Sequence, residues 1–119
     1  MDKLFVVVRS DLPAGLQIPQ AGHAMRLFAA EHPVEEARWY RESNNLVVLS
    51  VPSKEELVRL AYELTTRGIS VSLFREPDCG DEPTALAAAP GARRWLSTLP
   101  LALRERRDEV ALPFSEVAA

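Results

Sequence analysis

The chain has 119 residues, of which 47% are hydrophobic and 26% charged, and it contains one cysteine, Cys79. This composition predicts one globular domain and excludes a disordered chain, a disulfide framework and a zinc site built from several cysteines. The net charge of −3 excludes a polycation that coats nucleic acid, but it leaves room for a local basic surface. No apolar stretch approaches the ~20 residues of a membrane helix. The cysteine usage favours the cytoplasm.

The first predicted elements are a buried strand and a helix. Leu4–Arg9 is apolar and largely β-branched, which is typical of a strand covered on both faces. Residues 10–15 form a turn rich in breakers. Apolar residues then recur at helical spacing from Ile18 until Pro33 ends the pattern, with Pro19 in the first helical turn.

The middle of the chain predicts two helices with a strand between them. A short helix over 34–41 precedes a second strand, Leu46–Val51. Ser53 and Glu56 form a capping box, in which Ser53 caps the next helix and Glu56 reaches back to it. That helix ends at Gly68, and its apolar stripe consists of Leu57, Leu60, Ala61 and Leu64.

Two further strands follow, separated by a polar loop. The third strand is predicted over Ile69–Phe74, the loop over 75–83 and the fourth strand, made of small residues, over Thr84–Ala89. Pro90 and Gly91 open a short helix that ends before position 100.

This order of elements predicts an α/β fold: a small four-stranded mixed sheet with helices on both faces, in three α/β/α layers. Strands joined through helices pair in parallel with right-handed crossovers. The fourth strand follows the third after only a loop, so it should run antiparallel to its neighbour. We expect residues 1–103 to form the domain and residues 104–119 to form a charged, loosely ordered tail.

Polar side chains are predicted to gather at one edge of the sheet. In open α/β sheets, binding sites lie outside the carboxyl ends of the parallel strands. The first and third strands end at this edge, and the first helix and fourth strand begin there. The residues expected at the edge are Arg9, Ser10, Asp11, Gln17, Gln20, His23, Arg75, Glu76, Asp78, Asp81, Glu82 and Thr84.

Several of these residues also have a purely structural interpretation. His23 could be a hydrogen-bonding histidine of the helix rather than a catalyst. The acidic loop could be solvated or hold a cation weakly, but its spacing matches no known metal-binding loop, so no metal is predicted. Cys79 lacks the basic surroundings of a reactive thiol. The acidic loop comprises Glu76, Asp78, Asp81 and Glu82.

Arginines near the end of the chain form a second candidate surface. Arg93 and Arg94 lie on the last predicted helix, and Arg104, Arg106 and Arg107 follow it. Together they form either a phosphate-binding strip or an ordinary solvated basic face.

The order and spacing of these motifs resemble type 2 peptidyl-tRNA hydrolases. The run Val6–Leu12 is similar to the first strand and motif of that family. Gly15 is followed by four residues and then by Gln20–Ala24, which resembles the family's Gln-x-x-His-Ala. Asp78–Gly80 stands where the family carries Asp-Ala-Gly. The resemblance spans residues 4 to about 103 and includes 46–49, the helix 53–64, Thr84-Ala85 with Pro90, and the Leu-Pro-Leu at 99–101.

The resemblance implies a divergent, bacterial-type hydrolase that cleaves the ester between a peptide and the 3′ end of tRNA and so recycles tRNA. It implies that no metal or organic cofactor is needed, that the protein is cytoplasmic and that tRNA is its partner. Together with strand edges that look exposed, it also implies a homodimer. The implied catalytic residues are Asp78, which orients or deprotonates water, Thr84, which bonds the ester or that water, and His23 as support. The implied substrate-binding residues are Arg9, Asp11, Gln20, Arg75, Arg93 and Arg94.

Two alternatives stay open at this point. The family usually carries a lysine at the position of Leu16 and a threonine at that of Glu82. The same scaffold could therefore be a catalytically impaired domain that binds RNA or protein. It could also be a different small-molecule enzyme, because a fold does not fix a function.

Overall fold

The computed structural model describes residues 2–104, which form four strands and four α-helices. Within these residues no helix is long and apolar enough to cross a membrane. The predicted tail lies outside the described residues from position 105 onward. The elements in chain order are β1 (Lys3–Arg9), α1 (Ala14–Glu31), α2 (Pro33–Glu42), β2 (Asn45–Val51), α3 (Lys54–Thr66), β3 (Val71–Glu76), β4 (Glu82–Ala88) and α4 (Arg93–Leu96), with 3₁₀ turns at Pro77–Cys79 and Pro90–Ala92.

The four strands form one mixed sheet in the order β2-β1-β4-β3. Strands β1 and β2 pair in parallel, and β4 runs antiparallel to both of its neighbours, β1 and β3. The predicted α/β class and mixed sheet are confirmed. Strand β3 pairs with β4 and not with β1 or β2, because β4 folds back into the centre of the sheet.

The two faces of the sheet carry two separate cores. Alternate residues of β1, such as Val6 and Val8, pack with Phe28 of α1 and Trp39 of α2. The residues between them, such as Val7, pack under α3 and α4. Because β1 is covered on both sides, its sequence is apolar without alternation.

Helix α1 begins four residues before the predicted Ile18, so the predicted start is wrong. Pro13 precedes the helix, and its carbonyl accepts hydrogen bonds from the backbone N–H groups of Leu16 and Gln17 at 2.9 and 3.2 Å. Pro19 therefore lies inside the helix and not in its first turn. Proline there removes one N–H donor, and packing of the helix against the sheet outweighs that loss.

The ends of α3 are mostly as predicted. The Ser53 hydroxyl accepts a hydrogen bond from the Glu56 backbone N–H at 3.2 Å, which confirms the N-cap. The Glu56 carboxylate does not reach back, since it accepts a bond from Arg59 Nη1 at 3.1 Å. After the helix, Gly68 adopts a left-handed φ of +78°, which glycine takes at little cost.

The last third of the domain differs from the predicted boundaries. Strands β3 and β4 extend toward each other, so the loop between them shortens to residues 77–81. The helix predicted to run almost to position 100 is one turn long, Arg93–Leu96. The chain then passes along the edge of β2, where Leu101 forms an antiparallel bridge with Leu49.

Candidate functional site

The candidate site lies at the carboxyl edge of the sheet, which we define as the edge where β1 and β3 end and β4 begins. Strand β1 ends there at Arg9, β3 ends at Glu76 and β4 starts at Glu82. Because Glu76 pairs with Glu82, the loop 77–81 closes a tight hairpin over this edge. Asp78 and Thr84 belong to this hairpin and so share the edge.

A β-bulge in β4 determines which face of the sheet the Thr84 side chain lies on. Phe74 pairs with Ala85 and Arg75 with Pro83, which leaves Thr84 as the extra residue of β4. Ala85 packs in the core under α1, and the Thr84 hydroxyl also reaches α1. The bulge therefore places two successive side chains on one face, as bulges commonly do near functional sites.

Thr84, Gln20 and Glu76, which we call the polar triad, are joined by hydrogen bonds. Thr84 Oγ1 donates to Gln20 Oε1 at 2.5 Å, and Gln20 Nε2 donates to Glu76 Oε1 at 2.8 Å. Thr84 is 2% exposed and Gln20 is 4% exposed, while Glu76 is half-buried. The Thr84 hydroxyl is thus held behind Gln20, and Glu76 is the member of the triad nearest to solvent.

His23 and Asp78 flank the triad on the solvent side. His23 is exposed, lies one helical turn beyond Gln20 and stacks on Phe74, with ring centroids 4.9 Å apart and planes at 22°. Asp78 is exposed in the 3₁₀ turn of the hairpin, and its carboxylate has no hydrogen-bond or ion-pair partner among residues 2–104. Both groups are accessible to a substrate that approaches the edge.

Arg9 is the buried ion-pair centre of the edge. It donates from Nε and Nη2 to the two carboxylate oxygens of Asp11, at 3.0 and 2.8 Å, and from Nη1 to Glu82 at 2.6 Å and to the Pro83 carbonyl at 3.1 Å. The hydrogen bonds to Asp11 raise the pKa of Arg9, and the same bonds lower the pKa of Asp11. Arg9 is 7% exposed, and four of its five N–H donors are occupied by these contacts.

Arg75 lies on the other face of the sheet from the triad. It lines an open groove of about 530 Å³ together with Lys54 and Arg59 of α3 and with Pro83. Glu55 also lines this groove, and Arg59 and Lys54 contact the carboxylates of Glu56 and Glu82 at 3.1 and 3.9 Å.

Arg93 and Arg94 lie at the opposite edge of the sheet. Strand β4 runs antiparallel to β1 and ends opposite Phe5, so α4 follows it at the amino ends of β1 and β3. Both arginines are exposed. Arg94 and Arg67 lie over the Trp95 ring, at 5.2 and 4.7 Å from its centroid. The structure therefore does not bring this pair together with Asp78 and Thr84.

The predicted substrate and catalytic residues leave out three groups that matter at the edge. The sequence places Glu76 and Glu82 at this edge as part of the acidic loop but gives them no role, whereas Glu76 belongs to the triad and Glu82 pairs with Arg9. Gln17 is 5% exposed and bonds to the Leu12 carbonyl at 2.8 Å. The spacing of Gln17 and Gln20 was the available signal, because two amides three residues apart share one helix face.

The acidic loop is not organised around a cation. Within residues 2–104, no group of three or more His, Cys, Asp and Glu side chains is placed to hold a metal ion. Glu76 and Glu82 bond to Gln20 and Arg9 respectively.

Comparison with known proteins completes the description of the site. A solved structure of a protein of unknown function, Atu0240 from Agrobacterium tumefaciens strain C58, superposes with a TM-score of 0.60 at 16% identity, covering 83% of this chain and 96% of that one. This similarity shows the fold alone. No curated protein matches the sequence. The family model described as Peptidyl-tRNA hydrolase PTH2 matches residues 2–104, which contain the whole of the described domain. The chain therefore belongs to the PTH2 family of peptidyl-tRNA hydrolases.

Proposed function

We propose that the domain hydrolyses the ester that joins a peptide to the 3′ end of tRNA, at the carboxyl edge on the face of α1. The observation that carries this proposal is the polar triad, in which buried Thr84 and Gln20 fix the carboxylate of Glu76 beside exposed His23. Family membership supplies the substrate class. The reaction adds water across the ester, so that the peptide gains a hydroxyl and the ribose oxygen gains a proton.

The carboxylate that activates water is Glu76 or Asp78, and the geometry favours Glu76. Its Oε1 is held by Gln20 at 2.8 Å, which leaves Oε2 to accept a proton from water. Asp78 corresponds to the family motif in sequence but is exposed and is not oriented by a neighbour within the described residues. A positioned general base is worth about 10²- to 10⁴-fold in rate, and positioning is the advantage of Glu76.

The remaining residues have supporting roles in this proposal. Thr84 is a positioning residue that acts through Gln20, since its hydroxyl is buried. His23 is the exposed donor one turn from Gln20 and protonates the leaving ribose oxygen. Arg9 with Asp11 holds the edge in shape, while Arg75, Arg93 and Arg94 contact the phosphates of tRNA.

The test is hydrolysis of an N-acetylated aminoacyl-tRNA by the full chain and by two matched carboxylate variants. Glu76→Gln keeps the acceptor for Gln20 and should lower kcat by about 10²- to 10⁴-fold. Asp78→Asn should lower it by less than about tenfold. Unchanged melting temperatures show that both variants fold.

Each other outcome points to a specific alternative. A large loss for Asp78→Asn with a small one for Glu76→Gln would make Asp78 the base. Binding of tRNA without turnover by the unmodified chain would favour the alternative of a catalytically impaired RNA-binding domain, which the leucine at position 16 supports.

Assembly and location complete the proposal. We place the protein in the cytoplasm, where peptidyl-tRNA is produced. We further propose a homodimer, supported by β3, which forms one edge of the sheet. Light scattering over a concentration series should give twice the mass of the 13.2 kDa chain.

A further inference from the structure

Two side-chain contacts join α1 to β3 on the face of the sheet that carries the polar triad. One is the hydrogen bond from Gln20 to Glu76 at 2.8 Å. The other is a stack between His23, three residues after Gln20, and Phe74, two residues before Glu76, with ring centroids 4.9 Å apart and planes at 22°. Residues three apart on a helix, and residues two apart on a strand, share a face. The stack is therefore the neighbour of the triad.

The two rings of this stack are held in place to different degrees. Phe74 is half-buried, packs against the core under α1 and pairs across the sheet with the fully buried Ala85. Its ring therefore has a fixed position. His23 is exposed, and Phe74 covers one face of its imidazole. Phe74 thus limits the orientations that the His23 side chain can adopt.

The second histidine of the chain shows what differs at His23. His32 also lies beside a phenylalanine, Phe28, with ring centroids 4.9 Å apart and planes tilted by 41°. Its Nε2 lies 3.3 Å from the Val71 carbonyl oxygen, so one ring nitrogen is engaged by the backbone. Neither ring nitrogen of His23 has a hydrogen-bond partner among residues 2–104. Both nitrogens lie in the plane of the ring, so stacking on one face leaves them accessible.

We propose that Phe74 is a positioning residue, whose ring holds the imidazole of His23 in the plane that presents a nitrogen to the ribose oxygen of the ester. That role rests on the proposed function, in which His23 protonates this oxygen. Without the flat ring, the exposed imidazole would rotate among several orientations, and fewer molecules would hold it ready to react. Orientation of a reacting group before the chemical step is a source of rate acceleration.

The kinetic test is hydrolysis of an N-acetylated aminoacyl-tRNA by the full chain and by two variants of Phe74. Phe74→Leu keeps an apolar side chain over the core but removes the flat face. We expect kcat to fall by about three- to tenfold, with KM little changed. Phe74→Tyr keeps the flat face and should restore kcat. An unchanged kcat in Phe74→Leu would overturn the inference.

A double-mutant cycle separates positioning of His23 from a general effect on the domain. His23→Asn removes the group that Phe74 is proposed to orient. In that background, Phe74→Leu should lower kcat no further, because a residue that acts through His23 has no effect once His23 is gone. A second fall of the same size would show that Phe74 acts through packing alone and would overturn the inference.

Proton NMR of the full chain tests the stack without reference to activity. The ring current of Phe74 should shift the carbon-bound ring protons of His23 upfield, and Phe74→Leu should remove that shift. The matching signals of His32, which lies beside Phe28, should stay in place and serve as the internal control. His23 signals that do not respond to the variant would overturn the inference.

Failure of this inference and failure of the proposed function give different results. Absence of turnover by the unmodified chain would overturn the proposed function. Turnover that Phe74→Leu leaves unchanged would retain the function and overturn the role of Phe74 alone.

Discussion

Thr84 of β4 donates its buried hydroxyl to the side-chain oxygen of Gln20 of α1 at 2.5 Å, and this bond joins the centre of the sheet to the helix above it. A buried amide oxygen that loses its donor costs about 1–3 kcal/mol. The bond thus contributes to stability as well as to the orientation of Glu76.

Thr84→Val tests both effects with little change in volume. We expect a loss of about 1–3 kcal/mol in unfolding free energy, from urea titration, and a fall in kcat with KM little changed. Thr84→Ser keeps the hydroxyl and should restore kcat. If kcat in Thr84→Val stays at the unmodified level, the triad has only a structural role.

Arg9→Lys should destabilise the domain although charge is kept. Lysine cannot reproduce the forked contacts to Asp11, Glu82 and the Pro83 carbonyl. The carboxylates of Asp11 and Glu82 are partly exposed, and solvent therefore weakens their interaction with Arg9. We expect the variant to lose about 2 kcal/mol of unfolding free energy, measured by urea titration. Arg26→Lys, on the exposed side of α1, is the matched control and should change little. Equal losses for the two variants would contradict a central role for Arg9.

Leu16→Lys should raise the rate of peptidyl-tRNA hydrolysis. Leu16 is 45% exposed and lies four residues before Gln20, so the two side chains share a helix face. An amine there would add positive charge where the ester becomes an oxyanion. Leu16→Met, of similar length and without charge, should leave kcat unchanged. A lysine variant no faster than the methionine one would show that position 16 does not reach the reacting ester.

Replacing Arg93 and Arg94 together by alanine should weaken tRNA binding and reduce its dependence on salt. Each lost phosphate contact lowers the slope of log Kd against log salt by about 0.7–0.9. Both side chains are exposed, so the change in melting temperature should be small. The measurement is a filter-binding or fluorescence titration at several salt concentrations. An unchanged slope would show that Arg93 and Arg94, at the opposite edge of the sheet, do not contact tRNA.

Glu36→Gln should stabilise the domain at neutral pH and not in acid. Burial raises the pKa of Glu36 above its ordinary 4.5, and its Oε2 has no hydrogen-bond partner within residues 2–104. The folded state therefore binds the proton more tightly than the unfolded state, so stability falls as pH rises from 4.5 through the folded pKa. The variant should melt higher than the unmodified chain at pH 7 and equally at pH 4. A difference in melting temperature between the variant and the unmodified chain that is the same at pH 4 and pH 7 would contradict the prediction.

Much of the fold could be predicted because short stretches of sequence determine the elements concerned. The unbroken apolar run of β1, the Ser53 cap and Gly68 each reflect a short-range requirement of backbone or burial. The start of α1 was not predictable from the same rules. Pro19 is a strong local signal for a first turn, and tertiary packing overrides it by extending the helix back to Ala14.

The candidate site was less accessible from sequence because long-range pairing creates it. The bulge that turns Thr84 toward α1 depends on the register of β3 against β4, which no local motif encodes. Likewise, Glu76 and Glu82 look alike as loop carboxylates, and only the order of the strands assigns one to Gln20 and the other to Arg9.

The central position of β4 affects how the nascent chain acquires its structure. On emergence from the ribosome, β1 can pair with β2, but β3 lacks a partner until residues 82–88 arrive and enter between β1 and β3. Such pairing across most of the sequence is entropically expensive and slow. A chain interrupted before position 82 would leave one edge of β1 and both edges of β3 unpaired and open to aggregation. The sheet therefore closes only after β4, the last of its four strands in the chain, has been synthesised.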